Sequence, residues 1–465
     1  MHHTHRRTAL VGTALATLAL TFSSIGVAAD SHEGGVPAVP TGYTELDQAL
    51  GEDQPFAGTK VTMQTQWVAG EGDSLQEAFD NFEAATGITI SVAEVPSGQH
   101  ETLVNVALNG GSAADILQLA QPATINGYGE AGQVLDVATL MDAEKLSADL
   151  PVSAYQSGGG TWAIPYKIGL KSVVWYPIKA FADRGYEVPT TWDELVALSD
   201  QIVADGEGSP WCIGIDSGSS TGWVITDWIE DVMIRTAGLD AANAWATGEL
   251  PFSSPEVKNA FDLVGQMLFT DGYVLGGNTG ILAIQVVDAM DPMFTDDLQN
   301  PSCWMHKQSD WYGPDFFPDM KATGESQFVV GEDVGLFYFP VMDEAIGAPV
   351  LFAGDAFMVT QDRPEVRAVA QFLATPQSIE SWVKAGGAIS PNNKTPIEWS
   401  SGNYEAELAA TVISAAPFLV FDSGDVMPAV VGSGTFWTGP VEWISANGEN
   451  TEAVLQAIDD SWPSE

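Results

Sequence analysis

The sequence predicts an α/β protein organised as two lobes, and three observations carry that prediction. Strand-like and helix-like segments alternate from residue 60 onward, the pattern of layered α/β domains with a largely parallel sheet. Taking a 29-residue leader from 465 residues leaves 436, more than one hydrophobic core usually holds. Apolar strands also flank places where the chain has reason to leave one lobe and return to it, first near Lys171 and again between Val334 and Thr360.

The elements follow in order. Arg6 and Arg7 precede an apolar run from Ala9 to Phe22 that is short for a membrane span. Val27-Ala28-Ala29 then supplies small residues at signal-peptidase spacing. Residues 1–29 read as a signal peptide, with the mature chain starting at Asp30 and exported; a signal anchor is the competing reading. No cysteine follows the run, so no lipid anchor is expected there. Residues 30–58, rich in Gly, Pro and acid, read as a flexible tether holding one short helix near Tyr43 to Leu50.

Lys60 to Trp67 reads as a strand. Ser74 to Thr86 reads as a helix with Leu75, Ala78, Phe79 and Phe82 on one face. Ile88 to Val95 is a second strand, Glu101 to Leu108 a helix and Ala114 to Leu119 a third strand. Thr191-Trp192-Asp193-Glu194 is a capping box, and Ser254-Pro255 and Thr375-Pro376 place proline at helix starts. Gly386 stops the helix that carries Trp382. Three crossings are expected, near Lys171, between Tyr338 and Pro349, and at Ala388 to Pro391. They assign residues 59–168 and 340–388 to the first lobe and 169–339 and 389–465 to the second. A cleft between hinged lobes is a place where a ligand is engulfed.

The chain carries 16 Lys and Arg against 62 Asp and Glu; without Arg6 and Arg7 the mature chain has 14 against 62, a formal charge of −48. Nucleic acid and anionic lipid are therefore poor partners, and no nucleic acid is expected. The acids are scattered rather than run into a tail, as on a solvated surface suited to high salt or export. Cys212 and Cys303 are the only cysteines. In an oxidising compartment such a pair reads as one disulfide, with two buried thiols as the competing reading. Three of six histidines lie in the leader, leaving His32, His100 and His306 far apart, so no metal site is expected. No cofactor fingerprint or nucleophile motif is present.

Several segments resemble one family in order over most of the chain. They are Ala114-Asp115-Ile116, Ile164-Pro165-Tyr166 with Lys171 to Tyr176, Trp211-Cys212-Ile213-Gly214-Ile215-Asp216-Ser217-Gly218 with Thr221-Gly222-Trp223, and Cys303-Trp304-Met305-His306. Arg363-Pro364-Glu365-Val366-Arg367, Gly424-Asp425-Val426-Met427-Pro428 and Gly432 to Trp437 complete the series. Together they resemble the α-glucoside-binding branch of family 1 extracellular solute-binding proteins, which feed sugars to ABC importers. The resemblance implies a two-lobe periplasmic-binding-protein-like fold of the maltose-binding-protein type, three hinge crossings, a pairing of Cys212 with Cys303, and capture rather than catalysis. Expected partners are an α-glucoside such as trehalose, maltose or sucrose and the permease subunits, with the protein monomeric and in the periplasm or at the outer face of the membrane. An exported carbohydrate-active enzyme is the alternative.

A pyranose offers a C–H-rich face to an aromatic ring and a rim of hydroxyls that need fixed donors and acceptors, since a buried unpaired polar group costs about 1–3 kcal/mol. Tryptophans beside acids, amides or lysine in loops are therefore the candidates. Trp67 and Glu71 follow the first strand, and Gln118 and Gln121 end another. Lys171 stands at the first crossing, Trp223 follows a Ser-Gly-Ser-Ser turn, Asp355 enters on the return to the first lobe, and Trp437 is the stacking platform. Tyr128, Tyr166 and His306 are secondary candidates. The competing readings are core packing for the aromatics and solvated salt bridges for the charged groups.

Overall fold

A computed structural model describes residues 35–68 and 70–464. The signal-peptide reading lies outside the described residues. Among the described residues, twelve strands form two larger sheets and a hairpin. They are β1 (Lys60–Thr65), β2 (Thr89–Glu94), β3 (Ile116–Leu119), β4 (Gln156–Ser157), β5 (Gly160–Thr161), β6 (Ile164–Leu170), β7 (Val173–Pro177), β8 (Ser209–Trp211), β9 (Cys303–Gln308), β10 (Val334–Tyr338), β11 (Val350–Val359) and β12 (Leu419–Phe421).

The first sheet has the order β12-β11-β3-β1-β2, with β6 also paired to β11. β1 runs parallel to β2 and β3, and β11 runs antiparallel to β3 and β6. Strand β1 alternates outward and inward, burying Val61, Met63 and Thr65, as one covered face requires. The helix Gly70–Thr86 buries Leu75, Ala78, Phe79 and Phe82 against this sheet, and Phe82 stacks on Phe372 at 4.5 Å. The second sheet has the order β10-β7-β9-β8, with a core rich in tryptophan that includes Trp211 and Trp228 at 4.9 Å. The capping box at Thr191 and Glu194 forms in both directions, and Cys212 and Cys303 are bridged beside β8 and β9. No helix among the described residues is long and apolar enough to cross a membrane.

Two readings of the chain change. The tether does not extend to residue 58: Tyr43, Leu46 and Ala49 are buried in the first-lobe core. The helix Thr44–Leu50 is fastened through Gln371, whose Oε1 accepts from Leu46 N (2.9 Å) while its Nε2 donates to Glu45 (2.6 Å). Three apolar residues at helical spacing bury more readily than the surrounding Gly, Pro and acid suggest.

The third crossing is not at Ala388 to Pro391. There Ile168 N donates to Ile389 O (2.9 Å) and Asn393 N to Asp149 O (2.9 Å), both within the first lobe. The helix Tyr404–Ala415 then lies across the hinge: its Ala409 and Val412 pack on Ile168, Leu170, Val350 and Phe352, while the Tyr404 hydroxyl donates to Leu336 O (3.3 Å) on the second lobe. β12 then adds to β11 in parallel, and after Phe421 the chain enters the second lobe for good, with Met427 in its core. The ten-residue β11 outruns β3 and presents free edge, which β12 fills.

The crossings converge on Ser172. Its carbonyl accepts from Phe339 N (2.8 Å) and its hydroxyl from Leu351 N (3.2 Å), while Lys171 N donates to Leu351 O (3.0 Å). The strand returning at Asp422 joins through Lys171 Nζ, 3.1 Å from Asp422 Oδ2.

Candidate functional site

Between the lobes, against this hinge, lies a cavity of about 540 Å³. The first lobe lines it with the end of β1 and with β6 and β11. Lys167, on β6, reaches Glu71 Oε1 at 2.6 Å and lies 4.3 Å from the Trp382 ring centroid. Asp355, on β11, accepts from Gln118 Nε2 (2.6 Å) and Gln66 Nε2 (3.2 Å). Burial pushes the Asp355 carboxyl up to about 6 although nearby Lys167 pulls it down. Trp67 stands edge-on to Trp382 at 5.1 Å.

The second lobe contributes the turn 216–220, the start of the helix Trp223–Thr236, the loop after β9, and the segment 422–437. Gly222 holds φ 115°, and a Cβ there would stand 1.9 Å from the Trp437 carbonyl oxygen. Only glycine allows this approach, which brings Trp223 and Trp437 to one wall. Trp223 lies 6.2 Å from Trp311, centroid to centroid, and 4.8 Å from the Lys171 ammonium. Lys171 Nζ also reaches Asp227 Oδ1 at 3.0 Å. Burial works against its charge, but Asp227, Asp422 and Asp425 raise its pKa.

One ammonium cannot balance the carboxylates gathered around it. Burial pushes Asp227 up to about 7 against the pull of Lys171, and raises Glu230 and Asp425 well above the usual carboxylate range, with Asp422 adding to both. Asp425 itself stands on the cavity wall. Asp227 Oδ2 beside it, and Ser217 Oγ elsewhere on the wall, are buried with no hydrogen-bond partner among the described residues.

Trp67, Glu71, Gln121, Lys171, Trp223, Asp355 and Trp437 all line the cavity. Gln118 does not; it is fully buried behind Asp355, accepting from Gln66 N (3.0 Å) while donating to the carboxylate. The secondary candidates also stand away from the wall. The Tyr166 hydroxyl donates to Ser378 O (2.6 Å), and Tyr128 packs on the first-lobe core. His306 is buried against Tyr312, its Nδ1 2.9 Å from Cys212 O, with its pKa pushed down to about 4 by burial. In all three, packing takes the side chain away from the cavity.

Sequence reasoning missed Gln66, Lys167, Trp311, Asp422 and Asp425 as wall residues. Trp311 carries the signal used for the others, a tryptophan beside an acid just past a strand. Lys167 carries none, because it looks like one polar residue inside a strand. No group of three or more His, Cys, Asp or Glu among the described residues is arranged to hold a metal ion.

The profile of bacterial extracellular solute-binding proteins matches residues 68–380. The chain is 33% identical over 419 residues to the alpha-glucosides-binding periplasmic protein AglE of Rhizobium meliloti, covering 88% of each chain. It is 31% identical over 409 residues to the osmoprotective compounds-binding protein GgtB of Synechocystis, covering 87% of this chain and 92% of the relative. Among solved structures, a chitin oligosaccharide binding protein superposes with a TM-score of 0.71 at 18% identity, covering 87% of this chain and 99% of the other. A maltotriose binding protein of Thermus thermophilus gives 0.64 at 18% identity, covering 86% and 98%. At such identities these two support the two-lobe fold.

Proposed function

Because the chain belongs to the family of bacterial extracellular solute-binding proteins, we propose that it captures an α-glucoside in the interlobe cleft and delivers it to the permease subunits of a membrane importer. It is a solute-binding protein of a sugar ABC transporter and not an enzyme, so the hydrolase alternative falls. The mature protein works outside the cytoplasm, in the periplasm or at the outer face of the membrane, as a monomer.

One observation supports the sugar class above the rest. The cavity wall places the rings of Trp67, Trp223 and Trp437 beside the polar groups of Glu71, Gln121, Lys171 and Asp355. Rings provide platforms for the C–H faces of pyranoses, and the carboxylates accept from vicinal hydroxyls. Glu71, Asp216, Asp355 and Asp422 on the same wall disfavour an anionic solute. A volume of about 540 Å³ is in the range of small-molecule sites and holds a disaccharide with bound water. In this reading Trp437 and Trp223 stack on the sugar, and Asp355, Glu71 and Gln121 bond its hydroxyls. Gln118 orients Asp355, and Lys171 donates to a ring or glycosidic oxygen.

Isothermal calorimetry of the mature chain with maltose, trehalose and sucrose tests this, with chromatography of the sugar afterwards. One of the three is expected to bind at one site per chain and to be recovered intact. No heat with any of them would remove the α-glucoside reading.

A further inference from the structure

The two lobes touch across the mouth of the cleft through backbone. Gly98, in the first turn of the helix Ser97–Gly110, belongs to the first lobe; the turn Ser217 to Ser219 belongs to the second. A Cβ built on Gly98 would stand 2.8 Å from the Ser217 carbonyl oxygen, and one on Gly218 would stand 2.7 Å from the Gly98 carbonyl oxygen. Both are closer than a real Cβ approaches. The Ser219 hydroxyl donates to Gly98 O at 2.9 Å, and Thr102 Oγ1 lies 3.5 Å from Ser219 Oγ. Gly98, Ser217 and Gly218 also line the cavity, so the contact forms its lip.

We infer that Gly98 and Gly218 are positioning residues for solute capture: their bare backbones let the lips meet, and this contact holds the cleft shut over the bound molecule. The inference rests on the cleft being the binding site. The two glycines differ in what they show. Gly218 has φ 58°, so its own turn favours glycine whatever lies opposite. Gly98 carries no such constraint: it is helical, a place where glycine weakens the element relative to alanine. What a methyl group there meets is the other lobe. Glycine at position 98 thus serves the contact between lobes rather than the fold of its own lobe.

Closure that buries the solute acts mainly on dissociation, since the lips part before it leaves. Gly98→Ala should therefore keep or raise the melting temperature of the ligand-free protein. It should also release maltose, trehalose or sucrose, whichever the unaltered protein holds tightest, about tenfold faster. A second measurement needs no ligand. In Thr102→Cys/Ser219→Cys the new thiols face each other across the lip, and mild oxidation should join them in a bridge that peptide mapping separates from Cys212–Cys303. Adding Gly98→Ala to that pair should lower the yield. Unchanged dissociation in Gly98→Ala, or no bridge between positions 102 and 219 with or without sugar, would overturn the latch. If none of the three sugars binds, the sugar assignment fails and the crosslink alone decides the latch.

Discussion

The two walls of the cleft solve the burial of charge in opposite ways. On the first lobe Lys167 pairs with Glu71, and Asp355 is held by two glutamines. On the second lobe Lys171 faces Asp227 and Asp422 directly, with Glu230 and Asp425 crowded behind. The first wall is a set of matched partners. The second holds more acids than cations, so burial and mutual repulsion push the carboxyls of Asp227, Glu230 and Asp425 upward. Identity of residue type therefore says little about how a wall group will respond to change; the local ratio of cations to acids says more.

The difference is sharpest in substitutions. Lys171→Met should be the most damaging, because it takes from buried Asp227 and Asp422 their direct ion-pair partner at the junction of the crossings and leaves only Lys307, engaged by Asp231, acting on Asp227. Removing one partner of a buried ion pair typically costs about 3–5 kcal/mol. Urea unfolding at neutral pH should show it, and the deficit should shrink on acidification as Asp227 takes up a proton. A loss under about 1 kcal/mol, within the range of a surface pair, would mean that the second wall is not limited by charge.

Next in size is Trp437→Ala. It removes a ring from the cavity wall and should weaken sugar binding by about 2–4 kcal/mol, roughly 30- to 1000-fold. Trp382→Ala is the contrasting change: that ring is buried under Trp67 and Lys167, so the cost should fall on stability, about 3–5 kcal/mol. Calorimetry and thermal melting of both variants separate the roles, and normal affinity in Trp437→Ala would reduce that residue to packing.

The smallest effect is on pH. Burial raises Asp355, Asp310 and Asp315 to about 6 and Asp227 and Glu405 to about 7. Unfolded values are about 3.9 for Asp and 4.3 for Glu. A carboxyl with a raised folded value binds protons in the native state that the unfolded chain releases, so stability grows as pH falls through about 7 toward 4. His306 opposes this, because its lowered folded value makes the native state lose stability as pH falls below about 6.5. His100, also lowered by burial, acts in the same direction as His306; five acids outweigh two histidines, and the melting temperature should be higher at about pH 5.5 than at about pH 8. A lower value at pH 5.5 would show that matched ion pairs of the first kind dominate the whole protein.

Local pattern made much of the fold legible. The β1 alternation, the Leu75 to Phe82 face and the Thr191 box are written within a few residues of one another, and each forms as expected. What was not legible depends on partners far along the chain. The three residues of β12 carry no signal of their own and become a strand only beside β11, so the third crossing was placed too early. Gln118 was placed in the right neighbourhood, but its amide is spent on Asp355 and Gln66, a choice that no spacing records. Gly98 is the extreme case: nothing around it distinguishes it from a weak point in a helix until Ser217 is seen opposite.

The meeting of the crossings at Ser172 has a practical consequence. With the first two connections bonded to one residue and the third tied to its neighbour, the lobes share a short axle, and relative motion reduces to rotation about it. A pair of fluorophores, one on the exposed face of the helix Ser97–Gly110 and one on the helix Gly238–Ala246, would then report a single angle. Such a sensor would translate solute concentration into a one-parameter optical signal, calibrated by one dissociation constant.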